Sequence, residues 1–175
     1  MKILQVTGQV GQAETTSTEA LVLTHCEGEG LAGQDAALID RALGGSLRKL
    51  AQSKEFEGKA NEVLLYHTQG KVPAKRLVLV GLGKKNEVTL ETIRQALGSA
   101  VKCVRRTKAD SFTVTLPSVM PAGMSPVEVA QAMVEGAILG SYQFTVYRTT
   151  ATSEHTVAGM KFLLSGNDQL KQVTE

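Results

Sequence analysis

Short apolar runs alternate along the chain with longer stretches in which apolar residues recur every three or four positions. Residues 20–26, ALVLTHC, are almost continuously apolar, as a strand buried on both faces requires. Residues 62–68, EVLLYHT, and 76–82, RLVLVGL, read as two further strands. The QGKVPAK between them is short enough to join neighbours in a sheet. DSFTVTL at 110–116 and VAGMKFLLSG at 157–166 add two more, and KILQV at 2–6 is a short candidate. The polar GQVGQAETTSTE, the proline-containing PSVMPAGM and the polar TTATSEHT read as loops.

The helical stretches carry their own start and stop signals. The clearest spans residues 89–107, where Leu90, Ile93, Leu97, Val101 and Val104 make one apolar stripe. Ser125, Pro126 and Glu128 form an N-cap, a first-turn proline and a capping-box partner, and Ala130, Met133, Val134, Ala137 and Ile138 continue the apolar face of that helix. Asp35 opens a third pattern, with Leu38, Ala42 and Leu43 on one side. Gly44 and Gly45 should end or bend it before SLRKLAQSKEF resumes. NDQLKQVTE at the C-terminal end reads as the start of another helix.

Buried strands alternating with helices imply an α/β sandwich: a mixed, largely parallel sheet with helices on both faces. A length of 175 residues suits one domain. The hydrophobic fraction of 42% and charged fraction of 21% are those of a soluble globular chain. The net charge of +2 does not by itself imply nucleic acid. Cys26 and Cys103 make no close-spaced motif and suggest no disulfide framework. The N-terminal apolar run is too short for a signal peptide, and no segment is long enough to span a bilayer. A cytoplasmic protein without membrane contact is the expectation.

Four constellations could carry chemistry. In RLVLVGLGKKN, Gly81 and Gly83 fit the start of a dinucleotide fingerprint, but Asn86 stands where the third glycine belongs. Val78 and Lys85 break the other phosphate-loop pattern. Anion binding through backbone N–H groups and Lys84 or Lys85 is one reading; a tight strand-to-helix turn with solvated lysines is the preferred one. His25, His67 and His155 lack metal spacing, and the adjacent His25 and Cys26 on a strand point to opposite faces, so they make no dyad. Glu27 and Glu29 lie among glycines and read as solvated charge rather than an acid–base or metal pair. Lys102, Arg105, Arg106 and Lys108 close the clearest helix, where cations complement its dipole; with no interleaved aromatic, a nucleic-acid contact is the weaker reading. Tyr142, Phe144 and Tyr147, three of the seven aromatics, follow a helix containing Gly136 and Gly140 and are expected to pack over an edge.

The ordered residues Glu135-Gly136-x-x-Leu139-Gly140-x-Tyr142-x-Phe144-x-x-Tyr147-Arg148 resemble the N-terminal domain of the leucyl (cytosol) aminopeptidases, peptidase family M17. KRLVLVGLGKK, the LGG-x-L of residues 43–47 and the F-x-GK of residues 56–59 are similar to that family too, over nearly the whole chain and in order. The resemblance implies a macro-domain-like three-layer α/β/α sandwich over residues 1–165, with residues 166–175 starting a linker helix to a C-terminal catalytic domain. It implies a cytoplasmic homohexameric hydrolase that removes N-terminal amino acids from peptides with two divalent metals, zinc or manganese, held in that other domain. Nothing here matches the family's N-T-D-A-E-G-R-L metal motif, so no catalytic, cofactor or metal residue is carried over to this segment. The segment alone is expected to be inactive, with a role in oligomer assembly and active-site access. The alternative is a macro-like module that binds ADP-ribose or a related nucleotide, with the turn at residues 81–86 as a wall.

Overall fold

In the computed structural model, which describes residues 4–29, 33–117, 120–142, 155–168 and 171, the chain winds six strands into one mixed sheet. In chain order these are β1 (Gln5–Val10), β2 (Leu21–Glu27), β3 (Val63–His67), β4 (Arg76–Lys84), β5 (Ser111–Thr115) and β6 (Gly159–Leu164). Their spatial order is β1-β6-β5-β2-β4-β3. All neighbouring pairs are parallel except β3 and β4, which form an antiparallel hairpin at one edge. The α/β/α sandwich with a largely parallel mixed sheet is thus the observed architecture. The interior strands β2 and β4 are nearly all buried, which is why both read as continuous apolar runs.

The helices α1 (Gln34–Ala42) and α2 (Ser46–Gln52) cover one face, and α3 (Leu90–Arg106) and α4 (Pro126–Ser141) cover the other. Side chains alternate across each strand and so build two cores. Val22, Val78, Val80 and Phe112 meet α3 and α4; Leu21, Leu23, Leu77 and Leu79 meet α1 and α2. The stripe on α3 is as expected, with Ile93, Leu97, Val101 and Val104 fully buried. The predicted cap of α4 is present, with Glu128 N–H donating to Ser125 Oγ, and α3 has one too, with Thr92 N–H donating to Thr89 Oγ1. Ser125 N–H donates in return to Glu128 Oε2 at 2.8 Å.

Three expectations shift in register. The first strand runs through Val10, so the Gly8-Gln9-Val10 read as loop is sheet; β1 is an edge strand with mostly exposed side chains, defined by backbone pairing to β6 rather than by apolar pattern. In α1 the buried residues are Ala36, Ile39 and Asp40, continued by Leu43, while Ala42 is exposed. The helix is rolled so that the Asp40 carboxylate accepts from the Leu47 and Arg48 N–H groups at 2.9 and 3.1 Å, which caps α2. Gly44 and Gly45, at φ +66° and +78°, supply the left-handed turn that lets α2 fold back onto that carboxylate. In α4, Ile138 is exposed because the helix turns its small residues, not its largest ones, toward α3. Phe144, Tyr147 and the helix expected at 167–175 lie wholly or largely outside the described residues.

Candidate functional site

The glycine turn is closed by backbone. Residues 57–62 run across the end of β4: Gly81 N–H donates to Glu62 O at 2.8 Å, and Gly83 N–H donates to Gly58 O at 3.0 Å. A Cβ on Gly81 would sit 1.8 Å from Lys59 O, and one on Gly58 would sit 2.8 Å from Cys26 O. The glycines therefore permit three backbones to touch, which links the F-x-GK segment to the GLG turn. Lys85 pairs with Glu29 at 3.0 Å and Lys84 lies 3.8 Å from Glu87. A short 3-10 turn, Lys85–Glu87, then separates the strand from α3, whose first N–H groups are served by Thr89. The turn at 81–86 gives both of its glycine N–H groups to protein carbonyls.

A small cavity of about 350 Å³ opens at the C-terminal end of β2. His25 forms part of its lining, 4% exposed, with its ring edge-on to Phe56 at a centroid distance of 5.8 Å. Neither ring nitrogen has a hydrogen-bond partner among the described residues. Burial without a partner disfavours the imidazolium and lowers the His25 pKa to about 4. Cys26 packs into the core on the α3–α4 side of the sheet, and its burial raises the thiol pKa, so no Cys–His pair exists. His155 Nε2 lies 2.9 Å from Ala109 O and 3.5 Å from Asp110. Among the described residues no group of three or more His, Cys, Asp or Glu side chains could hold a metal. They do not fit a two-metal centre.

The longest motif resolves into a helix crossing. Gly136 and Gly140 of α4 face Arg94 and Gly98 of α3, where added Cβ atoms would stand 2.2 Å from Arg94 O and 2.6 Å from Gly98 Cα. Small residues here let the two backbones approach within contact distance. Beside them Arg94 Nε donates to Glu135 Oε2 at 2.5 Å, an ion pair that lowers the Glu135 pKa. A single sequence shows a glycine pair four apart and a neighbouring acid, but not the arginine 41 positions earlier that they meet. On the far side of α3 a groove of about 660 Å³ brings His67 and Arg76 of the β3–β4 hairpin to Lys102 and Arg106. The sequence separates these residues completely, and the basic helix end did not suggest Arg76.

The sheet order and the two helical layers define a macrodomain-type fold. The macrodomain of Oceanobacillus iheyensis with ADP superposes with a TM-score of 0.69 at 19% identity, over 94% of this chain and 85% of that one. A mutant of tomato leucine aminopeptidase reaches 0.76 at 17% identity, over 98% of this chain and 35% of that one. Sequence narrows the class. The profile of the "Cytosol aminopeptidase family, N-terminal domain" matches residues 9–151. A probable cytosol aminopeptidase of Geobacter sp. (strain M21) is 45% identical over 135 residues, 76% of this chain and 26% of that protein. One from Alkaliphilus oremlandii is 29% identical over 164 residues, 94% of this chain and 33% of that protein. The chain belongs to the cytosol aminopeptidase family, in the region of its N-terminal domain, and spans about a quarter to a third of the length of these relatives.

Proposed function

We propose that this chain is the non-catalytic N-terminal domain of a cytoplasmic aminopeptidase that removes N-terminal amino acids from peptides, using two divalent metals in a separate C-terminal domain. The carrying observation is the match over residues 9–151 to the N-terminal domain specifically. The motif residues support a scaffold role: Gly58, Gly81, Gly136 and Gly140 seat backbone on backbone, and Glu135 ties α4 to α3. In the whole enzyme the domain supports hexamer assembly and limits access to the active site. The purified chain is expected to show no hydrolysis of leucine p-nitroanilide with added Mn²⁺ or Zn²⁺. Metal-dependent turnover by homogeneous protein overturns the assignment. Deleting the matching region from the Geobacter sp. (strain M21) relative tests the assembly role by sedimentation; an unchanged particle with unchanged preference for peptide length refutes it.

A second reading rests on the cavity beside His25. Open parallel sheets bind ligands outside the carboxyl ends of their strands, and this cavity lies at that end of β2. A macro-like module would bind ADP-ribose there or in the adjoining crevice. Absence of heat in calorimetry at millimolar ADP-ribose removes it.

A further inference from the structure

Among the described residues no strand pairs with the outer edge of β3, and its hydrogen-bond phase is fixed. Gly81 N–H donates to Glu62 O at 2.8 Å and Thr68 N–H donates to Lys75 O at 3.3 Å. With Leu64 opposite Leu79 and Tyr66 opposite Leu77, residues 62, 64, 66 and 68 turn their backbone groups toward β4. The N–H and C=O groups of Val63, Leu65 and His67 therefore point away from the sheet. Those same three side chains lie on the α3 face and form one wall of the groove that ends at Arg76, Lys102 and Arg106. Among the described residues no carboxylate lines that groove and none of the three cations has an acidic partner within salt-bridge distance. The neighbouring lysines 59, 84 and 85 and Arg94 are all paired.

We propose that the β3 edge is a docking site for an extended acidic segment of another protein, added as a seventh strand with alternate carboxylates reaching Arg76, Lys102 and Arg106. Strand addition supplies the backbone bonds, and pockets for alternate side chains supply selectivity. Val63 and Leu65 give the groove an apolar floor, and Leu65 is 36% exposed. A phosphate polymer would leave the three outward backbone pairs unmet, and no Phe, Tyr or Trp lines the groove. A strand meets both the edge and the charge.

The probe is a capped heptapeptide alternating threonine and glutamate. It should bind this chain and slow amide exchange at Val63, Leu65 and His67 selectively. Replacing its glutamates by glutamines should weaken binding at least tenfold, and Arg106→Gln should weaken it about fivefold, the worth of one exposed ion pair of roughly 1 kcal/mol. N-methylation of the peptide on alternate residues keeps its charge, and the register that blocks its edge should abolish binding. Equal affinity of the N-methylated and parent peptides, or binding without protection of the three amides, overturns the proposal. So does equal binding of the glutamine peptide. Concentration-dependent dimerisation that protects the same amides without peptide assigns the edge to a second copy instead, and duplex DNA that binds without protecting them assigns the groove to a polyanion; either outcome overturns strand addition.

Discussion

Acid should destabilise this fold through one side chain. His25 is 4% exposed, without a hydrogen-bond partner at either ring nitrogen among the described residues, and has its pKa lowered from 6.5 to about 4. The unfolded chain accepts a proton near the ordinary value, while the folded chain refuses it until far lower pH. Between the two values the unfolded state binds more protons, so stability falls as pH drops through 6.5 and the loss is complete below about 4. At 1.36 kcal/mol per pKa unit the full penalty is about 3 kcal/mol, of which about 2 kcal/mol develops between pH 7.5 and 5. The assay is urea denaturation of the native protein and of His25→Leu from pH 7.5 to 5 at constant ionic strength. Every other group is common to the two proteins and cancels in the difference. The native protein should lose about 2 kcal/mol more than the variant over that range. Parallel loss in the two proteins would refute the reasoning, because it would mean that His25 finds a partner or water in the folded state.

Other outcomes follow from contacts already described. Gly136→Ala drives a Cβ into Arg94 O and should cost about 2–4 kcal/mol by forcing α4 off α3, whereas Gly98→Ala, whose Cβ meets Gly136 O at 3.4 Å, should be close to neutral because the gain in helix propensity offsets a tight contact; thermal melts rank the pair. Asp40→Ala leaves the Leu47 and Arg48 N–H groups without their acceptor and should cost about 2 kcal/mol in denaturant titrations, with the loss of protection concentrated in α2. Leu97→Ala, in the fully buried stripe of α3, should cost about 3 kcal/mol by the same measurement. Gly81→Ala should be more damaging than Gly123→Ala, although Gly123 has φ +76°, because only Gly81 has backbone in the space a side chain would need; soluble yield and melting temperature distinguish them.

Much of this protein is written in local pattern. The central strands announce themselves because burial on both faces demands uninterrupted apolar residues, and α3 does so because one buried stripe must recur at helical spacing. Capping residues at Ser125 and Glu128 act within one turn, so they too are legible. The edge strand β1 lies further along the chain than its apolar residues suggest, and α1 is rolled, because neither depends on apolar pattern alone: one is held by pairing to a strand some 150 residues away, the other by a buried carboxylate serving the next helix.

The candidate site divides the same way. The failed phosphate patterns at Asn86 and Val78 could be read directly, as could the opposed faces of His25 and Cys26. What the glycines are for could not, since a glycine records only that a side chain is forbidden and not which backbone forbids it. Only tertiary structure placed Lys59 O over Gly81 and Arg94 O over Gly136, and only the sheet order left the outward groups of β3 open beside Arg76, Lys102 and Arg106. The sequence by itself determined the interior strands β2 and β4, the helices α3 and α4 and the family they resemble, because each carries its signal in local pattern. The tertiary structure decided which long-range neighbours each element meets, because close approach and unpaired edges exist only once distant segments are brought together.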